Sequence, residues 1–229
     1  MKIKQIGWLG LVLFLITLTW IILLILSDST TLTPETIDEK IVMIQSEQTI
    51  YTISYLNAGS LTFFNIMFMS ALYLYCKENN EFWSTVSFVF VPIYGIANLF
   101  SYLSQIFLVP ELLQLYQSPA TQQFARLLLS LTIHTWPGSI VEAINGMAYA
   151  LLGIPSIILP LIGLRGSRLL AVGGFLLIAS GILSIIAFLG ILTSIGYLTN
   201  LSTVGGAVFL FSLLPISFHF LTADRNQDQ

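Results

Sequence analysis

Residues 107–138 read FLVPELLQLYQSPATQQFARLLLSLTIHTWPG, and whether this stretch crosses a membrane decides the fold. From Phe124 to Trp136 only about 13 residues suit an apolar environment, whereas a helix needs roughly 20 to cross a hydrocarbon core. A crossing here would also move Arg165 and Arg168 to the side opposite Lys4 and Lys77. That arrangement would go against the accumulation of Lys and Arg on the cytoplasmic side of short loops. The stretch is therefore expected to form an interfacial or re-entrant segment.

On either side of it the chain is strongly apolar. Of 229 residues 56% are hydrophobic and 8% charged, with mean hydropathy +0.89; soluble domains carry roughly 25% charged residues. Six stretches are long and apolar enough to span a bilayer: 6–26, 50–76, 82–106, 139–164, 169–197 and 203–223. The expected fold is all-α, a polytopic helical bundle of six transmembrane helices with extra outer interfacial helices. Residues 1–229 form one integral membrane domain, with an acidic outer loop at 28–49 and the outer segment at 107–138. With the N-terminus inside, Lys2, Lys4, Lys77, Arg165, Arg168 and Arg225 are cytoplasmic and only Lys40 and Arg126 lie outside. The acids Asp28, Glu35, Asp38, Glu39, Glu47 and Glu111 then fall outside as well. Both termini are expected in the cytoplasm, and the membrane is expected to be the plasma membrane. The first apolar run exceeds a signal-peptide core and is followed by LSDSTTLTP without a small-residue cleavage pattern, so it reads as a retained helix. Cys76, the single cysteine, excludes an intramolecular disulfide.

In the 28–49 loop, Thr33-Pro34-Glu35 has the pattern of a helix start, with Thr33 as N-cap and Pro34 at the first helical position. Ile37, Ile41 and Ile44 follow at helical spacing. The short helix is expected to rest against the span ends, and its acids could alternatively meet a cationic partner. In the 107–138 segment, Pro110 opens a short helix around ELLQLYQ, and Ser118-Pro119 caps a second over ATQQFARLLLSLTIHT. On the second, Gln123, Arg126, Ser130 and His134 share a polar face, while Phe124, Leu128 and Leu131 occupy the other side. That face is expected to be solvated, or else to form a lid over an outward-open site.

The third span carries Tyr94, Asn98, Tyr102 and Gln105 along one helical stripe, and Tyr55, Thr62 and Asn65 can face it from the second. Polar side chains avoid lipid, so both stripes point inward. With Asn145 and Tyr149 at the start of the fourth span they suggest an outward-facing polar and aromatic vestibule. Ordinary interhelical hydrogen bonding explains the same pattern. Gly173, Ser180, Ala187 and Ser194 recur every seven residues in the fifth span, and Gly146 and Ala150 pair in the fourth, as close helix packing requires. Pro92, Pro155, Pro160 and Pro215 are expected to bend their helices.

Chemistry is mostly excluded by what is missing. There is no phosphate-binding glycine loop, no H-E-x-x-H, no G-x-S-x-G and no cysteine pair, so neither cofactor nor metal is expected. The topology separates His134 from His219 by the membrane. A net charge of −3 without a basic tract argues against nucleic acid. Carboxylates are almost absent from the spans, which disfavours a proton-coupled carrier with several relay acids.

Three functions remain. The first is a non-enzymatic protein binding a small amphipathic molecule or lipid in the vestibule, as a receptor-like protein, carrier or accessory subunit. Its candidate site is Tyr55, Asn98, Tyr102, Gln105, Arg126, His134, Glu142, Asn145 and Tyr149. The second is a small secondary transporter, and the third an intramembrane enzyme using Glu142 or His134 as acid or base. Membrane lipids, a membrane protein partner or a second copy are the expected associates. Glu142 itself has two readings. Ser139-Ile-Val-Glu142 after Pro137-Gly138 fits a capping box, in which the carboxylate reaches back to the Ser139 N–H. Alternatively it is a functional charge paired with Arg126.

Overall fold

A computed structural model describes residues 3–28 and 34–223, so Lys2, Thr33 and Arg225 lie outside it. Among the described residues there is no strand. The helices are α1 (Lys4–Asp28), α2 (Ile37–Ser46), α3 (Gln48–Lys77), α4 (Glu81–Phe88), α5 (Phe90–Leu103), a π-helical turn (Ser104–Leu108), α6 (Val109–Tyr116), α7 (Gln122–Thr132), α8 (Ile140–Gly163), α9 (Arg168–Thr193), α10 (Gly196–Thr199) and α11 (Leu201–Thr222). Six helical stretches are long and apolar enough to cross a membrane. The chain is an integral membrane helical bundle.

The spans form a closed ring in the order α1, α3, α5, α8, α9, α11 and back to α1. Every span contributes to one apolar core, which includes Leu13, Phe68, Tyr94, Leu159, Leu177 and Leu213. Small residues set the closest approaches. A methyl group placed on Gly153 of α8 or Gly181 of α9 would lie 2.6 Å from the other's carbonyl oxygen, so the backbones touch at this crossing. On the next face of α9, Gly173 lies under Ile216 and Ser180 Oγ donates to Gly205 O at 2.8 Å, joining α9 to α11. The first two members of the seven-residue repeat thus face α11, and Ala187 is buried. The fourth member, Ser194, instead ends the helix at φ 55°. The fifth span therefore stops at Thr193, short of the expected 197, and Tyr197 belongs to α10.

Three contacts fix which helix ends lie together. Gly7 packs on Leu221, Gly163 packs on Cys76, and Ser167 Oγ hydrogen-bonds His219 Nδ1 at 2.9 Å. Lys4, Lys77, Arg165 and Arg168 consequently share one end of the bundle.

At the opposite end two helices are longer than a bilayer requires. Helices α4 to α6 run almost continuously over Glu81–Tyr116, 36 residues, or roughly 54 Å against a hydrocarbon thickness of about 30 Å. Helix α3, with 30 residues, extends for roughly 45 Å. Their surplus turns join α2 and α7 in a head with its own core. It is built from Ile37, Ile41 and Ile44 of α2, Val109, Leu112 and Leu113 of α6, and Leu129 and Ile133 at the end of α7.

Local chemistry in the head differs from the sequence reading in two places. Thr36 caps α2, and Pro34 precedes the helix rather than opening it: Thr36 Oγ1 accepts from Glu39 N at 3.2 Å while Glu39 Oε2 accepts from Thr36 N at 3.2 Å. The reciprocal bond needs a Glu or Gln three residues after the cap, and Thr36 has Glu39 at that position. Ser118-Pro119 forms a turn rather than a cap. Thr121 precedes α7 and its hydroxyl donates back to Leu115 O at 2.6 Å, which closes α6 and α7 into a short hairpin.

Candidate functional site

Between the bundle core and the head core lies a layer of neutral polar and aromatic side chains. The stripe expected on the third span is there, since Tyr94, Asn98, Tyr102 and Gln105 are all buried on α5 and the π-turn. Asn98 Nδ2 donates to Thr62 Oγ1 at 2.8 Å and to Tyr94 OH at 3.2 Å. Asn65 Nδ2 donates to the same tyrosine oxygen at 3.3 Å. From α8, Asn145 Nδ2 donates to Asn98 Oδ1 at 2.6 Å, and Tyr149 OH meets Tyr102 OH at 2.8 Å.

The π-turn places Gln105 where it can bind the head. Its Nε2 donates to Thr132 O at 2.9 Å, and its Oε1 accepts from His134 N at 2.9 Å and from Tyr51 OH at 2.6 Å. One amide thus ties α3, the π-turn and the end of α7 together. Helix α7 stops at Thr132, and Ile133 is extended at ψ 115°. His134 therefore leaves the polar face expected of it and turns into the layer. Its Nδ1 hydrogen-bonds Tyr55 OH at 3.2 Å, and its ring packs edge-on against Tyr55 and Tyr102, with centroids 5.7 Å away in each case. Burial pushes its pKa below the usual histidine value; the Asn145 side chain opposes this and the charge of Lys40 adds to it. The ring is thus held neutral.

Two expected members lie apart from the layer. Arg126 is not paired with Glu142. Its Nε donates to Asp38 Oδ1 at 2.8 Å, and Tyr116 OH donates to the same oxygen at 2.9 Å. The hydrogen bond from Arg126 holds the Asp38 carboxyl below its ordinary range, against a smaller opposing effect of burial. Glu142 works at the start of α8. Ser139 Oγ accepts from Glu142 N at 2.9 Å, and Glu142 Oε2 accepts from Gly138 N at 2.7 Å. The N–H reached is one residue earlier than the capping box specifies, because Ser139 N donates to Trp136 O instead. Gly138, at φ 79°, makes that turn possible.

Sequence reasoning missed two members of the layer. The Trp20 ring lies 6.1 Å from those of both Tyr55 and Tyr102, and Tyr51 packs on Tyr55 at 4.7 Å. Trp20 sits in a span that is apolar all round and shows no preferred face. Tyr51 could have been found from its i, i+4 spacing to Tyr55. Among the described residues no three His, Cys, Asp or Glu side chains gather as a metal site.

The layer is closed in this structure. Tyr55, Asn98, Tyr102 and Gln105 are at most 3% exposed. Three oxygens of α3 nevertheless lack a partner although buried: Ser54 Oγ, Asn57 Oδ1 and Asn65 Oδ1. A surface groove of about 610 Å3 lies instead on the head, between α2 and α7. Comparison with known proteins finds no matching family, no matching curated protein and no matching solved structure.

Proposed function

We propose that the chain is a non-enzymatic ligand-binding membrane protein, a receptor-like protein, carrier or accessory subunit that takes a small amphipathic molecule or lipid into the layer beneath its head. One observation carries this reading. The layer combines aromatic rings with neutral donors and acceptors between two apolar cores, the composition of sites that bury a largely apolar ligand and orient it by a few polar groups. The unpaired Asn65 Oδ1 supports it, because a buried acceptor without a donor is costly and a ligand hydroxyl or N–H would satisfy it. Entry requires the head to swing aside, and the Gln105 bonds are what hold it shut. The head faces the outside of the plasma membrane and both termini the cytoplasm, since the opposite end carries Lys4, Lys77, Arg165 and Arg168.

Mass spectrometry of small molecules and lipids co-purifying from native membranes tests the proposal. Asn98→Leu and Tyr102→Leu should lose a specific species that Leu99→Ala retains. Equal retention in all three variants would reduce the layer to interhelical packing. For orientation, in a Cys76→Ser background, a cysteine replacing Gln117 should react with an impermeant reagent from outside. One replacing Gly166 should not.

A further inference from the structure

We infer that the groove on the head is a second site, separate from the layer, and that it holds the phosphate and upper acyl chain of a glycerophospholipid from the adjoining leaflet. The groove is lined by Ile37, Gln123, Phe124, Arg126, Leu127 and Ser130, among others. Helix α7 buries Ala125 and packs Leu129 into the head core but leaves Phe124 60%, Leu127 59% and Leu131 37% exposed. These three follow i, i+3, i+7 and form one apolar stripe descending toward the bundle. An apolar stripe beside a cation is the pattern of a surface that meets lipid headgroups.

Height along the helix fits the same occupant. Thr132, at the foot of α7, is fixed to Gln105 of the spanning helix. Arg126 is six residues further up, at most about 9 Å, and the headgroup region adds roughly 5–8 Å on each side of the hydrocarbon. Leu131 and Leu127 therefore stand at the level of the upper acyl chain and glycerol, and the guanidinium reaches the phosphate level.

The polar contacts agree. Asp38 Oδ1 engages Arg126 through Nε, which orients the guanidinium, and among the described residues no hydrogen bond to its two terminal nitrogens is seen. Two parallel N–H groups suit two phosphate oxygens. The Gln123 amide is exposed beside it and supplies a further donor; Ser130 Oγ is already used on Leu127 O at 2.7 Å. Asp38 repels an anion, but its charge is compensated by Arg126 itself, so the phosphate meets a neutral pair with donors outward.

The test places p-benzoylphenylalanine at Leu127 in the full chain, in nanodiscs containing equal phosphatidylglycerol and phosphate-free galactosyl diacylglycerol with identical acyl chains. Adduct masses are read after illumination. Phosphatidylglycerol adducts should exceed galactolipid adducts about tenfold, as expected of one charge-assisted contact. Arg126→Gln should bring the two to parity. Asp38→Asn breaks the same ion pair but keeps the cation, and should preserve the preference. Equal loss in both variants would make Arg126 a structural residue only and overturn the site. Equal adducts in the unmodified head would show an unselective lipid contact, and a protein adduct in native membranes would assign the groove to a protein partner; each of these results overturns the proposal, as does the absence of any adduct.

Discussion

Asn145 of α8 donates to Asn98 Oδ1 of α5 across 2.6 Å, and the tyrosines one turn further along each helix, Tyr102 and Tyr149, meet at 2.8 Å. The two helices run in opposite directions, and helical side chains lean toward their own N-termini. Tyr102 and Tyr149 therefore reach toward each other from either side of the asparagine pair. Truncating each asparagine to alanine, singly and together, should show a coupling of about 0.6–1.7 kcal/mol, the range of such bonds between membrane helices. Unfolding in detergent or bicelles measures it. Additive losses would mean that the two amides find other partners.

Glu142 should behave as a helix-start residue. Gln at this position can also accept the Gly138 N–H, so Glu142→Gln should keep both stability and ligand retention, while Glu142→Ala lowers thermal stability modestly. Ser139→Ala should lower it by about 1 kcal/mol, the usual effect of losing a capping hydroxyl. Loss of function without loss of fold in Glu142→Gln would instead give the charge a direct role.

Stability should fall in mild acid because of His134. Its pKa is lowered in the folded protein, so as pH drops below about 6.5 the unfolded chain takes up a proton before the folded one does. The stabilisation from keeping the ring neutral is full above that pH and declines down to the folded pKa. The facing groups are Tyr55, Tyr102 and Asn145, with the charge of Lys40 acting at longer range, and none of them is an acid that could stabilise an imidazolium. Melting temperature should therefore decrease between pH 7 and pH 5 in the unmodified chain and change less in His134→Gln. Parallel curves for both would place the acid sensitivity elsewhere.

The α8–α9 crossing should tolerate no added carbon. Ala at Gly153 or Gly181 pushes a methyl group to 2.6 Å from a backbone oxygen, which cannot move without moving its helix. A loss of about 1–3 kcal/mol is expected, as for overpacking elsewhere. Gly206→Ala provides the control: nothing lies within 4 Å of the added methyl, and higher helix propensity should make it neutral or stabilising by up to about 1 kcal/mol. Equal melting temperatures for Gly181→Ala and Gly206→Ala would contradict the close contact.

The spans were legible because hydropathy and length act on whole segments, and the inward stripe on α5 because polar groups avoid lipid regardless of what they meet. Ile37, Ile41 and Ile44 showed their buried face by spacing alone. What stayed hidden depends on partners distant in sequence. Arg126 could be seen as the cation near Glu142, but the choice of Asp38, 88 residues earlier, follows from how α2 docks on α7. His134 appeared to continue a polar stripe because periodicity does not reveal that α7 ends at Thr132. The π-turn at Gln105 has no sequence mark at all, since one extra residue in a helical turn changes direction and not composition.

The head is assembled from pieces that the chain delivers at different times. Ile37, Ile41 and Ile44 are synthesised before two membrane crossings, and Leu129 and Ile133 after them. Its core cannot form until α3 and the long α4–α6 helix have been threaded side by side. A chain in which one of these two crossings fails to insert leaves α2 and α7 on opposite sides of the bilayer and never forms that core. Formation of the head thus serves as a built-in check on threading: a nascent chain can hide Leu129 only after both crossings between α2 and α7 are in place.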